Sequence, residues 1–110
     1  MSKNYKILWT KPAQGDLEDV MSYIENDRPK TAVKLLEKIR LRAAALKKNP
    51  QRGRKLPELL HLPGIRFKEL VITPWRLVYQ IVCGEVHILA FLDSRRDLED
   101  LLYERLTRVR

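Results

Sequence analysis

The stretch Thr73-Pro74-Trp75-Arg76-Leu77-Val78-Tyr79-Gln80-Ile81-Val82-Cys83-Gly84-Glu85-Val86-His87-Ile88-Leu89-Ala90-Phe91-Leu92-Asp93-Ser94-Arg95-Arg96 decides the fold. It reads as two strands joined by a tight turn. Trp75 to Val82 is rich in aromatic and β-branched residues, which suit a pleated, half-buried surface. Gly84 stands where a two-residue hairpin turn needs a positive φ. Val86 to Leu92 is a nearly unbroken apolar run, the pattern of a central strand covered on both faces. Arg76 lies near the start of the first strand, and Arg95 and Arg96 lie just past the end of the second. In an antiparallel hairpin those two ends are neighbours, so guanidinium groups gather at one end of a sheet.

On the C-terminal side, Ser94 with Asp97 three residues on forms a weak capping-box pattern. Leu98, Leu101, Leu102, Leu106 and Val109 then follow at helical spacing. On the N-terminal side, Ile65 to Ile72 reads as another strand, turned into Trp75 by Thr73-Pro74. Residues 49–64 read as a loop punctuated by Pro50, Gly53, Pro57, Pro63 and Gly64. Leu56, Leu59, Leu60 and Leu62 make it too apolar for a free linker, so it is expected to pack down. Before it, Pro29 opens a helix whose apolar stripe is Ala32, Leu35, Leu36, Ile39, Ala43 and Leu46. Thr10 and Pro12 open an earlier one with Leu17, Val20, Met21 and Ile24 on one face; Lys6 to Trp9 is a first short strand. The order β-α-α-β-β-β-α defines a single α+β domain. A small, largely antiparallel four-stranded sheet is expected, packed by an N-terminal α-hairpin with the helices on one face.

Composition narrows the function classes. At 110 residues the chain makes one core; a domain of this size buries roughly two thirds of its unfolded surface. It has no apolar run near the ~20 residues that span a bilayer, and the first residues lack the apolar core of a secretory signal. Cytoplasm is the expected location. Cys83 is alone, and no His or Cys has ligand spacing, so neither disulfide nor metal nor cofactor is expected. The formal net charge of +8 is uneven. Residues 28–76 carry fourteen Lys and Arg against Glu37, Glu58 and Glu69, a net +11, which leaves −3 for the rest. A basic middle implies a polyanionic or acidic partner.

Several stretches together resemble the RelE/ParE superfamily of toxins from bacterial type II toxin–antitoxin modules. They are Trp9-x-x-x-Ala13-x-x-Asp16-Leu17, Tyr23-Ile24, Pro29-x-x-Ala32, Asn49-Pro50-x-x-Gly53-Arg54-x-x-Pro57-Glu58-Leu59, Phe67-Lys68-Glu69-Leu70-Val71, Trp75-Arg76-Leu77-Val78-Tyr79, and Val86 to Leu92 leading into Arg95-Arg96. The resemblance implies a cognate antitoxin as partner and one of two targets. ParE-like members poison DNA gyrase; RelE-like members cut mRNA on the translating ribosome. In the nuclease branch, Arg76 and Arg95 match the two catalytic arginines. Lys68 and Arg66 are offset by one from the expected strand lysines, and one residue turns a strand side chain to the other face. Leu101 occupies the tyrosine position, and Tyr103, two residues on, is about 200° around the helix. The stretch before Trp75-Arg76 and the Arg95-Arg96 pair look more like the ParE branch.

Arginine suits charge stabilisation at a phosphate and is a poor base. Arg76 and Arg95 are therefore candidate phosphate clamps, with Lys68 and Tyr103 as possible helpers. Arg52, Arg54, Lys55, Arg66 and Arg96 are candidate binding residues. The plain alternative for Arg76 is an ion pair with Glu69 or Asp93; for Arg95 and Arg96 it is pairing with Asp97, Glu99 or Asp100. His61 and His87 have no visible partners for acid–base work. Trp75 and Tyr79 can stack bases, although buried aromatics are the commoner use. A non-toxic basic nucleic-acid-binding module is a third reading.

Overall fold

The computed structural model describes residues 4–60, 66–93 and 98–108. Strand β1 (Lys6–Trp9) leads into helices α1 (Lys11–Asp27) and α2 (Pro29–Ala44). Short 3-10 turns at Ala45–Lys47, Pro50–Arg52 and Pro57–Leu59 flank a two-residue strand β2 (Arg54–Lys55). Strands β3 (Phe67–Ile72), β4 (Trp75–Val82) and β5 (Glu85–Asp93) follow, then helix α3 (Leu98–Arg108). The sheet has five strands in the order β1-β5-β4-β3-β2, with β1 parallel to β5 and the other pairings antiparallel.

The fifth strand corrects the expectation of four. Arg54 and Lys55 pair with Glu69 and Lys68 inside a segment read from sequence as loop. Two exposed cations carry no alternation, so no periodicity marks them as strand. The helices also do not share one face. Leu70, Ile72, Leu77, Tyr79 and Ile88 project to the side covered by α1 and α2, where they cluster with Ala13, Ile39, Ala43 and Leu46. The alternate residues Phe67, Val78, Ala90 and Leu92 form a second cluster with Leu56, Leu59, Leu98 and Leu102. The docked turn and α3 thus cover the opposite face, which is why β5 reads as continuously apolar.

Local chemistry places each element. Thr10 caps α1 by accepting from the Ala13 amide, and its hydroxyl donates to the Ile88 carbonyl at 2.8 Å. One side chain therefore starts the helix and ties it to the middle of β5. The β4–β5 hairpin turns at Cys83 (φ 46°) and Gly84 (φ 82°), with Val82 paired to Glu85. Both turn residues have the positive φ that a type I′ turn demands, so Cys83 is exposed in the turn itself. A bulge between Val78 and Tyr79 pairs them with Ala90 and Ile88, leaving Leu89 without a partner on β4. Ser94, the expected cap of α3, lies outside the described residues, as do His61, Leu62, Asp97 and Val109.

Candidate functional site

Arg76 projects from β4 toward the face shared by α3 and the docked turn. Its neighbours across the β3–β4 ladder are Val71, directly opposite, and Glu69, one diagonal step away. The Arg76 Nε donates to Glu69 Oε1, and its two terminal nitrogens donate to the two Glu58 carboxylate oxygens, at 2.7 Å for Nη2. The second oxygen of Glu69 accepts from Arg54 Nε at 2.7 Å. Four charges sum to zero in a chain running Arg54, Glu69, Arg76, Glu58. The Glu69 and Arg76 side chains are 0% and 6% exposed, whereas Arg54 at 61% forms the outer rim.

This arrangement uses the planar fork of arginine fully. The Arg76 fork holds the Glu58 carboxyl below its ordinary range, which outweighs the opposing effect of partial burial. Hydrogen bonding to Glu58 in turn holds Arg76 above its ordinary value, with burial opposing it and Glu69 adding to it. The ion pair with Glu69 is one of the alternatives open from sequence. Glu58 was not foreseen as a partner; it stood only within the Pro57-Glu58-Leu59 part of the resemblance, and spacing does not reveal that the loop folds back.

The remaining candidates fall in different places. Lys68 pairs with Tyr79 in the ladder and so projects from the opposite face to Arg76; its Nζ lies 3.4 Å from the Gly53 carbonyl. Tyr103 is 73% exposed on α3, while its neighbour Leu102 is buried. Arg52, Lys55 and Arg66 are exposed around the basic edge. Arg95 and Arg96 lie outside the described residues. The structure therefore brings together Arg76 and Arg54, by way of Glu69, and does not join Lys68 to them. His87 Nε2 sits 2.9 Å from Glu85 Oε1, two residues back on its own strand.

Two further polar anchors also escaped the sequence reading. Tyr79 is fully buried; its hydroxyl donates to the Pro50 carbonyl at 2.7 Å and accepts from the Gly53 amide at 2.9 Å. Burial raises the Tyr79 phenol above its ordinary value, against a smaller opposing effect from the Gly53 bond. Gly53 has no room for a side chain, since a Cβ there stands 2.5 Å from the Tyr79 hydroxyl and 2.7 Å from the Glu69 carbonyl. Asp16, read from sequence as a helix-dipole residue, instead accepts from the Phe91 amide at 2.9 Å and from Arg105 at 2.8 Å.

Solved structures share this architecture. A chain of the chromosomal ParDE toxin–antitoxin system from P. aeruginosa superposes with a TM-score of 0.66 at 20% identity, covering 81% of this chain and 95% of that one. A chain of the RelBE2 toxin–antitoxin complex from Mycobacterium tuberculosis gives 0.55 at 20% identity, covering 86% and 95%. A mutant of E. coli toxin RelE in the free state gives 0.53 at 15% identity, covering 97% and 99%. At such identities the likeness defines the class: a RelE/ParE-type fold. Sequence takes the assignment further. A family profile described as "ParE toxin of type II toxin-antitoxin system, parDE" matches residues 7–98. Toxin ParE3 of Caulobacter vibrioides is 32% identical over 94 residues, covering 84% of this chain and 90% of that protein. The chain belongs to the ParE toxin family of type II toxin–antitoxin systems.

Proposed function

We propose that this protein is a cytoplasmic toxin that arrests growth by inhibiting DNA gyrase and is neutralised by a cognate antitoxin. The observation that carries the choice of target is the closed state of Arg76. A guanidinium that clamps a scissile phosphate must present its fork to the substrate. Here both terminal nitrogens face Glu58 and Nε faces Glu69. Lys68 points from the other side of the sheet, and arginine does not serve as a base. The family profile and the ParE3 relative support the same branch. An antitoxin is supported by the ParDE and RelBE2 neighbours, both described as toxin–antitoxin systems or complexes.

The second reading, a ribosome-dependent mRNA endoribonuclease, keeps its support from the matching positions of Arg76 and Arg95 and from the RelE likeness in fold. One pair of assays separates them. Purified protein is added to gyrase acting on relaxed plasmid, and separately to a translating extract in which new mRNA 5′ ends are mapped. Loss of supercoiling without new ends is the expected result. Codon-phased cuts that disappear in Arg76→Ala and Arg95→Ala, with supercoiling intact, replace gyrase by the ribosome. Growth arrest absent altogether, with no affinity for the protein encoded beside it, removes the toxin reading.

A further inference from the structure

The α-hairpin turn carries a cleft that the reading above does not use. It is an open cavity of about 550 Å³ between the α1–α2 junction and the start of β4. Its apolar walls are Tyr23, Ile24 and Trp75. Tyr23 is 81% exposed, so its ring is open to a ligand. The Trp75 indole is backed by the Phe91 ring at 6.0 Å between centroids, so it is held in place as it lines the cleft. Asn26, Asp27 and Thr31 offer donors and acceptors at the edge, and Arg28 adds a cation. Two aromatic walls with polar groups at the margin suit a planar heteroaromatic ring.

A second, independent feature begins beside Thr31. Lys30, Lys34, Lys38 and Arg42 follow one another at four-residue steps along α2, a row that winds slowly round the helix and extends about 18 Å. The three lysines are exposed and no acid interrupts the row; Glu37 lies on the adjacent row with Val33 and Leu41. Charge is segregated within the hairpin. Helix α1 carries Asp16, Glu18, Asp19, Glu25 and Asp27 against Lys11, whereas α2 carries five cations against Glu37. A polyanion is directed to α2 and away from α1.

We infer that the hairpin is a binding site for single-stranded nucleic acid, with a base in the Tyr23–Trp75 cleft and the phosphate backbone along the α2 cation row. Aromatic platforms joined to a basic track are how unpaired strands are held without sequence readout. A base inside a duplex is stacked and cannot enter the cleft, so the site favours unpaired strands. The inference stands apart from the choice between gyrase and ribosome, since the cleft lies on the α-hairpin side of the sheet and the Arg76 cluster on the other.

The test is fluorescence anisotropy with fluorescein-labelled 12-nucleotide DNA and RNA single strands and the corresponding blunt DNA duplex, over a range of salt. Single strands are expected to bind more tightly than the duplex, and the tighter of the two names the natural source. Tyr23→Ala, at an exposed position, is expected to weaken single-strand binding about tenfold, in keeping with the loss of one stacked base. Lys34→Gln with Lys38→Gln is expected to lower the slope of log affinity against log salt by about 1.4. Equal or tighter duplex binding, or unchanged binding by a folded Tyr23→Ala protein, overturns the inference. Gyrase inhibition and growth arrest measured on the same variants report on the function separately.

Discussion

Asp16 and Arg105, 89 residues apart in the sequence, form a two-pronged ion pair that joins α1 to α3 around the edge of β5. Strand β1 covers that edge only as far as Ile88. Beyond it, Asp16 accepts from the Phe91 amide and Arg105 donates to the Leu89 carbonyl at 2.9 Å. Two side chains therefore replace a missing strand partner and satisfy backbone groups next to the bulge.

The pair is expected to hold α3 in place. Asp16→Asn or Arg105→Ala should each destabilise the fold by about 1.5–3 kcal/mol, the range for hydrogen bonds to charged groups. Urea denaturation of the two single variants and the double variant gives the coupling. A coupling near zero means the residues act independently on the strand edge.

Removing one member of the buried chain of charges should cost more. Glu69→Ala leaves Arg76 buried with part of its fork unpaired, a loss of about 3–5 kcal/mol. Glu69→Leu combined with Arg76→Met, which removes both charges and keeps volume, should cost much less. It follows that Arg76→Ala lowers the yield of folded protein as well as any activity. A growth assay on that variant therefore needs circular dichroism beside it.

Acid sensitivity should trace to Glu58. Its native carboxyl is held below the ordinary value of 4.5, so its contribution is fully present above that value and is lost as pH falls through the lowered native one. Wild-type stability should therefore decline with acid below about pH 5, and Glu58→Gln should flatten part of that decline while lowering stability at neutral pH. Chemical denaturation at a series of pH values measures both. An unchanged slope in the variant assigns the acid sensitivity to other carboxyls.

Two glycines should respond oppositely to alanine. Gly53→Ala places a methyl against the Tyr79 hydroxyl and the Glu69 carbonyl, and overpacking of this kind costs roughly 1–3 kcal/mol. Gly15 lies inside α1 with nothing within 4 Å of an added Cβ, so Gly15→Ala should stabilise by roughly 0.5–1 kcal/mol. Thermal melts of the two proteins should move in opposite directions.

The helices, their apolar stripes and the β4–β5 hairpin were legible because periodicity and turn chemistry report them directly. Thr10, Pro12, Pro29 and Gly84 stand where local rules put them. The segment from Pro50 to Leu59 was legible only as something that packs. Its strand, Arg54–Lys55, exists because Tyr79 and Glu69, both distant in sequence, hold it, and no local pattern encodes that. The same holds for the site. Arg76 stood out by residue type and position, and Glu69 as one candidate partner, with Asp93, by its place on the neighbouring strand. Glu58 and the Asp16–Arg105 pair depend on tertiary placement, which one sequence does not display. Lys68 was expected to help Arg76, but the ladder pairs it with Tyr79 and so places it on the opposite face.

Surface loops ordinarily tolerate length changes over evolution. The segment from Pro50 to Glu58 is different, because it is fastened on both faces of the sheet by residues of one strand. Tyr79 grips Pro50 and Gly53 from the α-hairpin side, and Arg76 grips Glu58 from the other. Between those grips the chain rounds the edge of β3 in a fixed number of residues, pairing as it passes. A codon gained or lost between Gly53 and Glu58 would break one grip or the other. Lineages that keep both Tyr79 and Arg76 are therefore expected to keep this interval at constant length, while drifting freely in the identity of the exposed residues within it.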